Sequence, residues 1–153
     1  MKVLKVLVDA DACPVKNIIL QEARQRSIPV VMVMDTAHQY EDGYSQVVTV
    51  DKGADSADFQ IVALAEPGDI VVTQDYGLAA MALARGAEAL RQDGLLYREE
   101  MDALLFERHL SRKLRRAGVR THHKKSENTA GSFARILGQL LDDRKEQNHG
   151  SDQ

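Results

Sequence analysis

The sequence predicts an α/β fold built on a mainly parallel β-sheet, followed by a helical C-terminal extension. Three observations carry that expectation. Short runs rich in Val, Ile and Leu recur along the first two-thirds of the chain. They are continuous rather than alternating, as strands buried on both faces require. Segments with helical spacing lie between them, joined by short loops, which is the pattern of strand–helix–strand units. The remainder is charged and helix-patterned.

Taken in order, Lys2–Val8 (KVLKVLV) reads as the first strand, stopped by Asp9. Pro14 is suited to the first turn of a helix, and Ile18, Ile19, Glu22 and Ala23 keep helical spacing as far as Arg26. Pro29–Met34 (PVVMVM) is a second strand ending at Asp35. A polar loop through His38 and Gly43 leads to a short third strand, Val47–Val50. Asp55–Ala65 reads as a helix with Phe59, Val62 and Ala63 on its apolar face. Pro67-Gly68 turns the chain into a fourth strand, Asp69–Thr73 (DIVVT), before Asp75. Leu78–Arg85 is an Ala-rich helix that Gly86 is placed to end, and Ala87–Leu90 is an edge strand. Arg98–Ala117 carries a helical stripe of Met101, Leu104, Leu105, Leu110 and Leu114, closed by Gly118. Ser132–Leu141 is the last amphipathic helix. Without repeats or linker composition, residues 1–146 read as one domain, extended from about residue 98, with a polar disordered tail over 147–153.

Composition limits the function classes. With 153 residues, 44% hydrophobic and a net charge of -3, the chain is neither disordered nor strongly polyionic. No run approaches the roughly 20 apolar residues that a membrane span needs, and Val3–Val8 is too short for a signal peptide. One cysteine excludes an intrachain disulfide and a Cys-based zinc site, so a reducing cytoplasm is expected. The net charge conceals an asymmetry. Residues 1–107 hold 18 acidic and 9 basic side chains, whereas residues 108–125 hold 8 basic and no acidic ones. Arg108, Arg112, Arg115 and Arg116 approximate one side of the expected helix, with Lys113, Arg120, Lys124 and Lys125 adding charge. Such a segment grips a phosphate backbone without reading sequence, and RNA is the expected partner ahead of DNA. The alternative is pairing with the acidic body, in the same molecule or across a homodimer.

The acidic residues fall where strands end. Asp9 and Asp11 follow the first strand, Asp75 follows the fourth, and Asp55 and Asp58 open the helix between. In open α/β sheets, ligands bind beyond the carboxyl ends of strands, where the strand order reverses. Carboxylates crowded together need a cation, or some must protonate. Oxygen-only ligands select Mg²⁺ or Mn²⁺ rather than zinc. Each residue has an ordinary alternative as a helix cap: Asp75 and Asp11 for the helices that follow them, Asp55 as an N-cap with Asp58 favoured by the helix dipole.

Three stretches, VDADACPVK (Val8–Lys16), KGADSAD (Lys52–Asp58) and DIVVTQDYGLA (Asp69–Ala79), resemble the signatures of the bacterial YaiI/YqxD family, whose proteins are related to PIN-domain nucleases. The resemblance covers residues 2–137, and Thr73, Asp75, Leu78 and Ala79 are also similar to the PIN signature itself. It implies a PIN-like three-layer α/β/α arrangement with strand order 3-2-1-4-5. It further implies an acidic cluster that binds divalent metal for phosphodiester hydrolysis. Carried over by position, Asp9 is the first acid, Asp75 the later strand-end acid and Asp58 or Asp55 the acid of the middle helix. Asp11 would join them as a metal ligand, and Thr73 would support. The family's own chemistry is not established, so a non-catalytic module that binds nucleic acid or protein is the competing expectation. His122-His123 and Thr129 stand where the family usually carries Gly-Pro and an Asp.

Other signals are weaker. Asp9-x-Asp11 after a strand is similar to haloacid-dehalogenase-like phosphatases, but a convincing downstream Lys is missing. Cys13 reads as a small buried hydrophobe rather than a nucleophile. The adjacent His122 and His123 would point apart on a helix. No GxGxxG or Walker loop is present.

Overall fold

In the computed structural model, residues 4–11, 13–35, 40–52, 56–98 and 129–150 are described. Strands β1 (Val6–Asp9), β2 (Val30–Asp35), β3 (Gln46–Val50), β4 (Ile70–Val72) and β5 (Glu88–Leu90) form one sheet in the order β3-β2-β1-β4-β5. Every pairing is parallel. β1 lies at the centre, with Val6 paired to Val30 on one side and to Ile70 on the other. The continuous apolar runs have the expected cause, since alternate residues enter two different cores. Val6, Val8, Met32, Ile70 and Val72 face one, while Leu7, Val31, Val33 and Val71 face the other.

Helices α1 (Lys16–Gln25) and α4 (Thr129–Gly150) cover the first face, contributing Ile19, Ala23, Phe133, Leu137 and Leu141. Helices α2 (Ser56–Leu64) and α3 (Tyr76–Ala84) cover the second with Ile61, Leu78, Ala79 and Ala82. The molecule is therefore a three-layer α/β/α structure. The ends of α1 and α3 are closed alike. At α3, Gly86 (φ 86°) donates to Leu83 O and Ala87 to Ala82 O. At α1, Ser27 (φ 56°) donates to Arg24 O and Ile28 to Ala23 O. Both are the paired carbonyl closure that follows a residue in the left-handed region.

Three expectations need correction. The apolar face of α2 is not Phe59–Val62–Ala63: Ile61 is fully buried against the sheet, whereas Phe59 is 67% exposed. This helix is apolar on nearly every side, so its periodicity cannot choose a face. α3 begins at Tyr76 rather than Leu78, because Asp75 is its cap. α4 spans Thr129–Gly150 and passes the expected start at Ser132 and the expected end at Leu141. Residues 142–146 are polar and lie outside the core, and polarity alone does not end a helix. Apart from Arg98, the expected helix over Arg98–Ala117 lies outside the described residues, as do residues 151–153.

Polar fasteners tie the layers. Buried Asp69 accepts from Lys5 Nζ (2.6 Å) and Glu66 N (2.9 Å) at the amino edge of the sheet. Arg26 forks onto Asp142 from α1 to α4, at 2.7 and 3.2 Å. Arg144 pairs with Glu88. Gly94 (φ 95°) lets the chain after β5 pass against α4, where a Cβ would stand 3.3 Å from Phe133 N. No helix among the described residues is long and apolar enough to cross a membrane.

Candidate functional site

The carboxyl edge of the sheet, where β2, β1 and β4 end side by side, gathers most of the acidic residues singled out from the sequence. Asp9 closes β1, and Thr73 directly follows β4, its parallel neighbour. Thr73 is fully buried, and its Oγ1 donates to Asp9 Oδ2 at 3.0 Å. The same oxygen accepts from Asp75 N at 3.0 Å. One hydroxyl thus joins the two strand ends. Asp75 Oδ1 in turn accepts from Leu78 N at 3.1 Å and caps α3. Gly77 leaves room for that cap, since a Cβ there would lie 3.2 Å from the same carboxylate oxygen. Asp11 Oδ2 accepts from Asp35 N at 3.1 Å, which fixes the β1–α1 loop to the end of β2.

The electrostatics follow from this crowding. Burial pushes the Asp9 carboxyl above the ordinary carboxylate value. The Thr73 hydrogen bond opposes that rise, and the charges of Asp75 and Asp11 add to it. Asp9, Asp11 and Asp75 therefore share one field. Asp58 lies in the first turn of α2 and is not among the charges that raise Asp9. Asp55 lies outside the described residues, and so do Arg108, Arg112, Lys113, Arg115, Arg116 and Arg120. Burial pushes the Cys13 thiol up, in keeping with a packing role.

Among the described residues, no group of three or more His, Cys, Asp or Glu side chains is placed to hold a metal ion. The oxygen donors at the sheet edge still suit a hard cation. Mg²⁺ commonly keeps several waters and takes one or two protein carboxylates, with substrate phosphate completing its shell. Asp35, at the end of β2, is a further carboxylate at this edge that the sequence reading had used only to end a strand.

A family model described as the uncharacterized BCR, YaiI/YqxD family matches residues 7–143. The chain belongs to the YaiI/YqxD family. Family relatives named UPF0178 protein support this over nearly the whole length. One from Ruminiclostridium cellulolyticum is 53% identical over 137 residues, 88% of this chain and 90% of the relative. Another, from Lachnoclostridium phytofermentans, is 43% identical over 144 residues, 90% of this chain and 97% of the relative. No solved structure matches.

Proposed function

We propose that this YaiI/YqxD protein is a PIN-like, divalent-metal-dependent phosphodiesterase acting on nucleic acid, RNA ahead of DNA. The supporting observation is the Thr73 bridge between Asp9 and the Asp75 turn, at a sheet edge where burial raises the Asp9 pKa and the charges of Asp75 and Asp11 add to the rise. Asp9 and Asp75 would hold Mg²⁺ or Mn²⁺, with Asp58 as the third acid and Asp11 or Asp55 assisting. When bound, such an ion supplies a water of lowered pKa and offsets charge on the phosphate oxygens. The residues of this chain do the rest. Thr73 fixes the rotamer of Asp9, a carboxylate accepts the proton of the attacking water, and the basic segment from Arg108 to Arg120 holds the strand. A cytoplasmic location is part of this reading.

One observation favours a second reading, a module that binds without cutting: the Asp75 carboxylate is already engaged in capping α3. Cleavage of labelled RNA by purified protein with Mn²⁺ decides between them, together with the thermal midpoint with and without the ion. Hydrolysis and metal-dependent stabilisation are expected for the wild type. At an ion concentration about 100 times Kd that stabilisation amounts to about 2.7 kcal/mol. Both should be lost in Asp9→Asn. Wild-type protein that binds RNA but never cuts it with either ion would leave the module reading standing.

A further inference from the structure

An open groove of about 470 Å³ runs along α1, lined by Asn17, Leu20, Gln21, Arg24, Gln25 and Asp42. Its volume lies within the range of ligand sites. The lining positions on α1 recur at the spacing of one helix face. The lining residue outside α1 is Asp42, whose carboxylate organises the chain from Tyr40 to Ser45 that leads into β3. Asp42 Oδ1 accepts from Tyr44 N (2.8 Å) and Ser45 N (2.6 Å), and Oδ2 from Tyr40 Oη (2.7 Å) and Ser45 Oγ (2.6 Å). Asp42 is acidic and lies in the lining, but four hydrogen bonds commit its oxygens to that segment.

One cation, Arg24, lies in the lining, and a second, Lys16, directly precedes its first residue, Asn17, on α1. Lys16 Nζ sits 5.8 Å from the centre of the Tyr40 ring and donates to Cys13 O at 3.2 Å. Arg24 Cζ sits 5.1 Å from the centre of the Tyr44 ring, whose hydroxyl donates to Ile28 O at 2.6 Å. Both rings pack on the buried core, so they are rigid supports. A cation over an aromatic face is attracted to it and loses less freedom when it meets an anion. Eight residues of helix separate the two cations, a rise of about 12 Å. Along the same face, Asn17 and Gln21 between the two cations and Gln25 just beyond Arg24 present amides that both donate and accept, as the edges of unpaired bases require. The Lys16 end lies at the start of α1, beside the carboxyl edge that carries Asp9 and Asp11.

We propose that this groove is the track for a single-stranded nucleic acid, with backbone phosphates at Lys16 and Arg24 and base edges against the three amides. The strand would run from the groove onto the carboxylate edge. The inference rests on reading that edge as a phosphodiesterase site, and it names the part of the surface that selects an unpaired strand.

The test is equilibrium binding of a fluorescein-labelled oligouridylate in EDTA, which excludes cleavage, over a range of salt concentrations. Arg24→Gln and Lys16→Gln should each weaken binding and reduce the log–log salt slope by about 0.7, the loss of one phosphate contact on a single strand. The thermal midpoints of both variants are measured to show that they fold. Side-chain amide NMR signals of Asn17, Gln21 and Gln25 should shift as the strand is added. An unchanged salt slope in the folded double variant overturns the proposal. So do unmoved amide signals while the strand is bound, a wild type that does not bind the strand, or a duplex that competes equally well. The two readings fail separately. Cleavage by wild type with undiminished binding by the double variant removes the track alone. Binding in the groove without cleavage removes the hydrolase alone.

Discussion

Thr73 has one proton to give, and the backbone amide of Asp75 decides where it goes. Because Oγ1 accepts from that amide, its own hydrogen is left for Asp9. Thr73→Val should cost about 1–3 kcal/mol in urea unfolding, since it leaves buried groups without partners. The Asp9 carboxyl should rise further, because Thr73 is what lowers it. A carboxyl raised on folding destabilises the ionised native state, so the cost of Thr73→Val should shrink as the pH falls toward the ordinary carboxylate value. Asp42 has the opposite sign. Burial alone would raise it, but hydrogen bonds from Ser45, Tyr40 and the backbone of Tyr44 and Ser45 hold it at about 2. Its contribution is present above the unfolded value near 3.8 and is lost as the pH falls through about 2. With allowance for solvent screening, Asp42→Ala should cost on the order of 1 kcal/mol at pH 7 and little at pH 2, measured by thermal unfolding. Asp9 and Asp75 were legible in the sequence because Asp9 directly follows one apolar run and Asp75 comes three residues after the end of another. Asp42 was not, since Asp-Gly in a polar stretch reads as an ordinary turn. The available signal was Asp42 three residues before Ser45, a local side-chain–backbone turn.

At the scale of elements, one position serves both as a helix cap and as a candidate ligand. Asp75→Asn keeps an oxygen for Leu78 N and should leave the apo stability unchanged or slightly higher, because like charge is removed beside Asp9. Asp75→Ala should lose about 1 kcal/mol of thermal stability with the cap. Equal losses in both variants would show that charge, not capping, sets the role of this residue. The end of α1 gives a test of local strain. Ser27 adopts a positive φ that Gly86 occupies at the matching place after α3. Ser27→Gly should therefore stabilise the protein by up to about 1 kcal/mol in denaturant titration. The strands were legible because Val and Ile runs buried on both faces read alike in any parallel sheet. The orientation of α2 was not legible, since Phe59 and Ile61 are equally apolar and only packing distinguishes them. The length of α4 was missed because residues after Leu141 carry no apolar period. They are held instead by pairings such as Asp142 with Arg26 and Arg144 with Glu88.

At the scale of the whole molecule, strand order follows from alternating strands and helices together with the resemblance to the family. Both core layers follow from residues that alternate across each strand. What the sequence could not supply was the closeness of α1 to α4. Gly138 marks it, for a Cβ there would stand 3.0 Å from Glu22 Oε1 and 3.1 Å from Arg26 Nη2. Gly138→Ala should displace only the movable ends of those two side chains, and with the gain in helix propensity it should change thermal stability by less than about 1 kcal/mol. Leu137→Ala, fully buried in the same core, should cost about 2–5 kcal/mol. The placement of α4 also has a consequence in time. The sheet and α1 are made first, yet Val8, Ile19 and Met32 share their core with Phe133, Leu137 and Leu141, far later in the chain. Until those residues leave the ribosome, α1 is the one described helix on that side of the sheet. A nascent chain stalled before Phe133 would lack α4 and would expose apolar surface to chaperones and proteases. Quality control of this protein therefore turns on its last described helix, whose arrival separates a finished molecule from a substrate for degradation.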